Sequence, residues 1–185
     1  MNSFQNATVI MVHGAWADGS SWEAVIRQLQ VRGLKVVAAP IPLTSLSDDA
    51  IALKRTIART QGPVILAGHA YAGAVIAMSN DERVKALVYI AALAPDEGET
   101  VAQVFYKCEP HPQAPQLAPD NDGFIWMPDS GFDHAFAQNA TAEQIAVSKA
   151  VQRPIALKSI SGSGTGTGME IQASMVSACR GRPND

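Results

Sequence analysis

Pro63-Val64-Ile65-Leu66-Ala67-Gly68-His69-Ala70-Tyr71-Ala72-Gly73 is an apolar run that breaks into small residues and then continues into Ala74, Val75, Ala77 and Met78. Residues 63–67 read as a short buried strand, because a brief aliphatic and β-branched run bounded by Pro and Gly suits a strand covered on both sides. The residues after position 70 recur at helical spacing, so strand passes to helix through a very tight turn. Working outward, strand signals recur at residues 8–12, 34–38 and 86–91. Between them Ser20 and Glu23 offer a capping box for a helix carrying Trp22, Val25, Ile26 and Leu29 until Gly33 stops it. A second helix runs from Ser47 or Asp48 to Ala58. Such alternation predicts an α/β fold, a three-layer αβα arrangement around a mostly parallel sheet. Residues 96–150 then turn to Pro-, Asp- and Gly-rich connections around Phe105, Tyr106 and residues 124–127, with a helix over 142–151. They read as a cap crossing the sheet edge.

The bulk properties bound the partners. A chain of 185 residues with 47% apolar and 17% charged residues and a formal net charge of −3 is an ordinary globular composition, which argues against disorder and against nucleic acid. The early apolar run at residues 9–12 is too short for a membrane span and has no basic leader, so no membrane partner and a cytoplasmic location are expected. Cys108 and Cys179 stand far apart without ligand spacing, and read as free thiols rather than a disulfide or zinc site. No metal and no cofactor are implied. The glycosylation-type triplets at Asn6 and Asn139 read as chance matches.

Two segments carry chemistry. His13-Gly14-Ala15-Trp16-Ala17-Asp18-Gly19-Ser20-Ser21-Trp22 sits where a strand ends and a helix begins, where a loop can aim an amide N–H at an oxyanion. A phosphate loop has similar glycine spacing, but Ser20 stands where its lysine would be. Gly68-His69-Ala70-Tyr71-Ala72 sits in the context of the Gly-x-Ser-x-Gly turn, whose small residues let a strained bend expose the central side chain. Here the central residue is Ala70, and Ala72 replaces the second glycine. Alone, the segment would read as a plain strand-to-helix turn; with the first segment upstream on the right element, it reads as that bend.

Residues 9–22, 68–73, 86–98, 119–126 and 152–155 together resemble the small α/β-hydrolase family of esterases related to hydroxynitrile lyases and methyl-ester hydrolases. More weakly, the chain is similar to esterases carried on mobile resistance-gene cassettes. The resemblance spans residues 8–158. It implies an α/β-hydrolase domain over residues 1–158, a small carboxylic ester or related ligand, Ala70 at the nucleophile position, and the backbone amides of Ala15 and Tyr71 as the oxyanion hole. His13, Trp16, His69, Phe105 and Trp126 are the expected pocket residues. Alanine has no oxygen with which to form an acyl-enzyme, so covalent catalysis is expected to be impaired. Alternatives are a non-catalytic small-molecule binder and an esterase using another nucleophile or base.

In the family the acid and the histidine follow on later strands, and this sequence ends before either appears; the fold is expected to lack its C-terminal strands and to expose a sheet edge open to self-association. Among the remaining candidates, His13 reads as orienting backbone, His69 as turned from the pocket, His111 and His134 as solvated cap residues, and Asp96 as a poor substitute acid. Residues 159–185, opening on a Ser/Gly/Thr-rich stretch, read as a flexible tail. Met169-Glu170 and Met175-Val176 would each become tryptophan if read from the second base of the methionine codon. Family members carry two tryptophans at that spacing, so the tail is expected to be a frameshifted hydrolase segment.

Overall fold

The computed structural model describes residues 6–107 and 114–162. Cys108, His111, Cys179 and the proposed frameshifted segment from position 163 onward lie outside the described residues. Four parallel strands, β1 (Thr8–Val12), β2 (Lys35–Ala39), β3 (Val64–His69) and β4 (Val84–Ile90), form a sheet in the order β2-β1-β3-β4. The strands expected at 34–38, 63–67 and 86–91 are shifted by one or two residues at their ends. Helix α1 (Glu23–Val31) covers one face. On the other lie α2 (Leu46–Ala58) and α3 (Ala72–Ala77), packed against each other as well as against the strands.

Alternation along the strands assigns the faces. Ile10, Val12, Val64 and Leu66 are fully buried beneath α2 and α3 with Leu53, Ile57, Val75 and Ile76. Val9, Met11 and Ala67 point the opposite way, against Trp22 and the apolar side of α1. At roughly 1.5–3 kcal/mol for each large aliphatic side chain withdrawn from water, these two layers are the main source of stability. Cover is incomplete over β4, where Val88 and Ile90 are 41% and 37% exposed. Among the described residues β4 is an outer strand of the sheet.

Helix starts follow local chemistry. The Ser45 side chain accepts from the Asp48 N–H at the head of α2. The capping box expected from Ser20 and Glu23 does not form. Asp18 instead accepts from the Ser20 N–H at 2.8 Å and opens a short 3-10 turn, Gly19–Trp22, ahead of α1. An aspartate two residues upstream outcompetes a serine because its charged oxygen makes the stronger bond to an unpaired helix-terminal N–H.

Beyond β4 the chain crosses the C-terminal ends of the strands. It forms α4 (Val101–Phe105), the two-residue strand β5 (Phe124–Ile125), the single helical turn α5 (Asp129–Gly131) running into a π turn at Phe132–Phe136, and α6 (Ala142–Val151). Thr141 and Gln144 close a capping box on α6. The strand β6 (Ile155–Ala156) pairs antiparallel with β5, and α7 (Leu157–Ser161) follows. Flexible chain was expected from residue 159, but Ser159 is fully buried within α7, which runs to Ser161. Ile155, also buried, and Ile160, packed against the core, anchor this end. Among the described residues no helix is long and apolar enough to cross a membrane, and no cluster of potential metal ligands occurs.

Candidate functional site

The bend after β3 is the centre of the site. Ala70 has φ 50, a left-handed conformation that costs an L-residue roughly 1–2 kcal/mol. Surrounding contacts over-determine it. The Ala70 carbonyl accepts from Gly73 N–H at 3.1 Å and from Leu93 N–H at 2.9 Å, so the chain turns from strand into α3 within two residues. The neighbours leave little space. A Cβ on Gly68 would lie 2.8 Å from the Ala72 carbonyl oxygen, and one on Gly73 would lie 2.2 Å from the Leu93 carbonyl oxygen. The close approach that the sequence pattern assigns to the position of Ala72 is thus made by Gly68 and Gly73, and the Ala72 methyl packs into the core.

The loop after β1 meets the bend. A Cβ on Gly14 would stand 3.2 Å from both the Ala70 Cβ and the His69 carbonyl oxygen. His13, 1% exposed, lies beneath this loop and its Nδ1 is 2.9 Å from the Gly14 carbonyl oxygen. Only a protonated Nδ1 can donate there. Burial lowers the His13 pKa despite that bond, so the neutral ring prevails at neutral pH. Trp16, itself at φ 58, is tied to the cap by its backbone N–H to Arg153 O at 3.1 Å and its indole N–H to Ile125 O at 2.9 Å. Among the described residues the N–H groups of Ala15 and Tyr71 donate to no protein acceptor, and both residues border the cavity above Ala70.

That cavity has a volume of about 250 Å³ and is walled largely by apolar groups. Ala15, Trp16, His69, Ala70 and Tyr71 form its floor, and Phe105, Leu117, Phe136, Ile155 and Ile160 close it from the cap side. Three of the five residues expected in the pocket, Trp16, His69 and Phe105, therefore border it. His13 does not, because it is buried under the loop. Nor does Trp126, whose half-exposed indole N–H donates to Asp120 at 3.1 Å on the outer surface. The His69 ring turns from the cavity to meet Trp22 edge-on at 6.2 Å, and burial lowers its pKa. His134 and Asp96 are exposed and take no part in the wall.

One buried polar group escaped the sequence reading. Asp49 is fully buried on α2, and its carboxylate accepts from the Leu43 N–H at 2.6 Å and from the Tyr71 hydroxyl at 2.6 Å. Leu43, held at φ 62, in turn offers its carbonyl to Ala156 N–H at 2.9 Å. The carboxylate thus ties the bend to α2 and, through Leu43, to the cap strand β6. Burial is the main cause of its pKa rising to about 6, against the lowering effect of its two hydrogen bonds. Burial, and then Asp49, push the Tyr71 hydroxyl well above the usual tyrosine value. Asp48-Asp49 looks like an ordinary acidic first turn, and nothing in that dipeptide marks the second residue as interior.

The match of the Alpha/beta hydrolase family model to residues 9–166 covers most of the sequence, and the chain belongs to that family. No curated protein matches the chain significantly. Among solved structures, it is similar to an extracellular alpha/beta-hydrolase from a Paenibacillus species, described as sharing structural and functional homology with tobacco salicylic acid binding protein 2. The two are 19% identical, with 87% of this chain and 72% of that one covered and a TM-score of 0.69. A pyrethroid hydrolase from Sphingobium faniae JZ-2 is 21% identical over 88% of this chain and 73% of that one, with a TM-score of 0.69. A methylesterase from Arabidopsis is 15% identical over 86% and 70%, with a TM-score of 0.67. At these identities the likeness is one of fold.

Proposed function

We propose that this α/β-hydrolase chain binds a small apolar carbonyl compound, an ester or the corresponding acid, without forming an acyl-enzyme. The observation that carries the reading is the pairing of a methyl group with an otherwise intact setting: Ala70 occupies a left-handed bend between the uncommitted amides of Ala15 and Tyr71. In a serine hydrolase such a bend presents the nucleophile, and two amides stabilise the oxyanion of the tetrahedral intermediate. Here the amides can still polarise a carbonyl or hold a carboxylate. The attack has no oxygen to start from. Proton transfer also lacks a partner among the described histidines, since the ring of His69 is packed on Trp22.

The apolar wall favours an aromatic or branched aliphatic body, and the small number of polar groups on the floor would orient it. Methyl 1-naphthylacetate and 1-naphthylacetate have suitable chemistry as probes. Saturating either at about a hundredfold over its dissociation constant should add about 2.7 kcal/mol to stability, which is roughly 5–10 °C in Tm for a chain of this size. The ester should be recovered intact. Absence of a shift with both probes contradicts binding, and steady release of the acid contradicts the loss of catalysis.

A further inference from the structure

The electrostatics of the inner cavity bear on which carbonyl compound it takes. Among the described residues no Lys, Arg, Asp or Glu borders it, so the reception of a ligand's oxygen falls to the amides of Ala15 and Tyr71. The two histidines at the bend add no positive charge. Burial lowers the pKa of both His13 and His69, and each is neutral at and above neutral pH. Arg153, whose charge acts on His13, has an exposed side chain and does not border the cavity.

A negative charge, by contrast, is built in behind the floor. Tyr71 borders the cavity, and its hydroxyl, at the far end of the side chain, donates to Asp49 at 2.6 Å. Asp49 is fully buried with the Tyr71 hydroxyl and the Leu43 N–H as its partners, and among the described residues it joins no ion pair. Its pKa of about 6 leaves it ionised at about pH 8. At an effective dielectric constant of about 20, two like charges about 10 Å apart, roughly the reach of one tyrosine residue, repel enough to weaken binding about tenfold. The pull in the other direction comes from the two amides and from the start of α3, a helix of six residues, which favour an anion. Those groups would have to replace the whole hydration of a carboxylate inside an apolar cavity. A neutral carbonyl accepts the same two bonds and gives up far less water.

We infer that the site selects neutral carbonyl compounds, esters, amides or ketones, over carboxylates, and that Asp49, set behind Tyr71, is a determinant of that choice. The acid that an ester would release on hydrolysis is then the poorer ligand. This rests on the inner cavity being the binding site, and it decides between ester and acid where the apolar walls alone do not.

1-Naphthylacetamide and 1-naphthylacetate share one apolar body and a planar head of nearly the same size, and differ in charge. Calorimetry on the whole chain at about pH 8 should show the amide binding at least about tenfold tighter, a gap that persists at about 0.5 M salt because the opposing charge is buried. Asp49→Asn keeps the shape of the side chain and an oxygen to accept from Leu43, but removes the charge. It should tighten carboxylate binding about five- to tenfold and leave the amide within about twofold of wild type. Damage to the fold would weaken both probes, so a gain confined to one of them is specific to the lost charge. Equal or tighter binding of the carboxylate by wild type overturns the inference whether or not the variant folds. A gap unchanged by Asp49→Asn overturns the role of Asp49 and leaves the inner cavity standing. Failure of 1-naphthylacetamide to bind wild type overturns the inner-cavity reading itself.

Discussion

Replacing Asp49 by asparagine is expected to remove most of the pH dependence of stability between about pH 4 and pH 7 that this carboxyl imposes. The sign follows from its burial. The native carboxyl has its pKa raised to about 6 from an ordinary value of 3.8, so the folded chain resists ionisation that the unfolded chain accepts. The stabilisation attached to the protonated form is complete below pH 4 and is lost as pH rises through 6. A rise of that size corresponds to about 3 kcal/mol. Other shifted carboxyls act in the opposite sense. Asp48, Asp81 and Asp120 are lowered by hydrogen bonds and lie at the surface, so their smaller contributions are lost on acidification. Urea unfolding of wild type and Asp49→Asn across this range isolates the buried group as the difference between the two curves. Parallel curves would show that Asp49 is not desolvated as described.

Gly73→Ala is expected to be the most damaging single-methyl change at the bend. The new Cβ would meet backbone on the far side of the turn, 2.2 Å from the Leu93 carbonyl oxygen, as well as the Ala92 Cβ at 2.8 Å. Neither neighbour is the free end of a flexible side chain. The Leu93 segment is also bound to the bend by its N–H to Ala70 O, so relief requires the turn itself to open. Overpacking of this kind costs about 3 kcal/mol, the upper end of its ordinary range, or roughly 6–12 °C in Tm. Gly98→Ala makes a useful contrast because a Cβ there meets nothing within 4 Å, although its φ of +83 adds backbone strain alone. Thermal unfolding that ranks Gly98→Ala as the worse of the two would contradict the crowding at Gly73.

The parts legible in the sequence are those governed by local pattern. The strand runs and the helix at 142–151 follow from period and capping, and Gly-x-Ala-x-Ala between a buried strand and a helix indicates where the chain must bend. The backbone at Ala70 has a left-handed φ of 50, and Trp16 and Phe105 border the cavity, while the His69 ring packs against Trp22. What was not legible depends on contacts distant in sequence. Ile160 looks like the start of a featureless tail, yet with Ile155 it borders the cavity because β6 pairs with β5 and is followed by α7, whose Ile160 packs on the core. Trp126 looks like pocket lining because it is aromatic and sits in the cap, but its indole is held outward by Asp120. Phe132 and Phe136, four residues apart, are an aromatic signal that could have added Phe136 to Phe105 on the cap side of the cavity. Asp49 offered none, since an acidic residue in a first helical turn is ordinarily solvated.

The chemistry of position 70 remains the centre of the account. Incubation of the purified chain with a fluorophosphonate, followed by intact-protein mass measurement and peptide mapping, tests it directly. The unmodified mass is expected, with no adduct on the peptide spanning Gly68 to Gly73, because Ala70 has no side-chain oxygen and the Tyr71 hydroxyl, the other oxygen at the bend, is buried, donates to Asp49 and is held protonated well above the usual tyrosine pKa. A stoichiometric adduct on that peptide, or on any residue bordering the cavity, would contradict it.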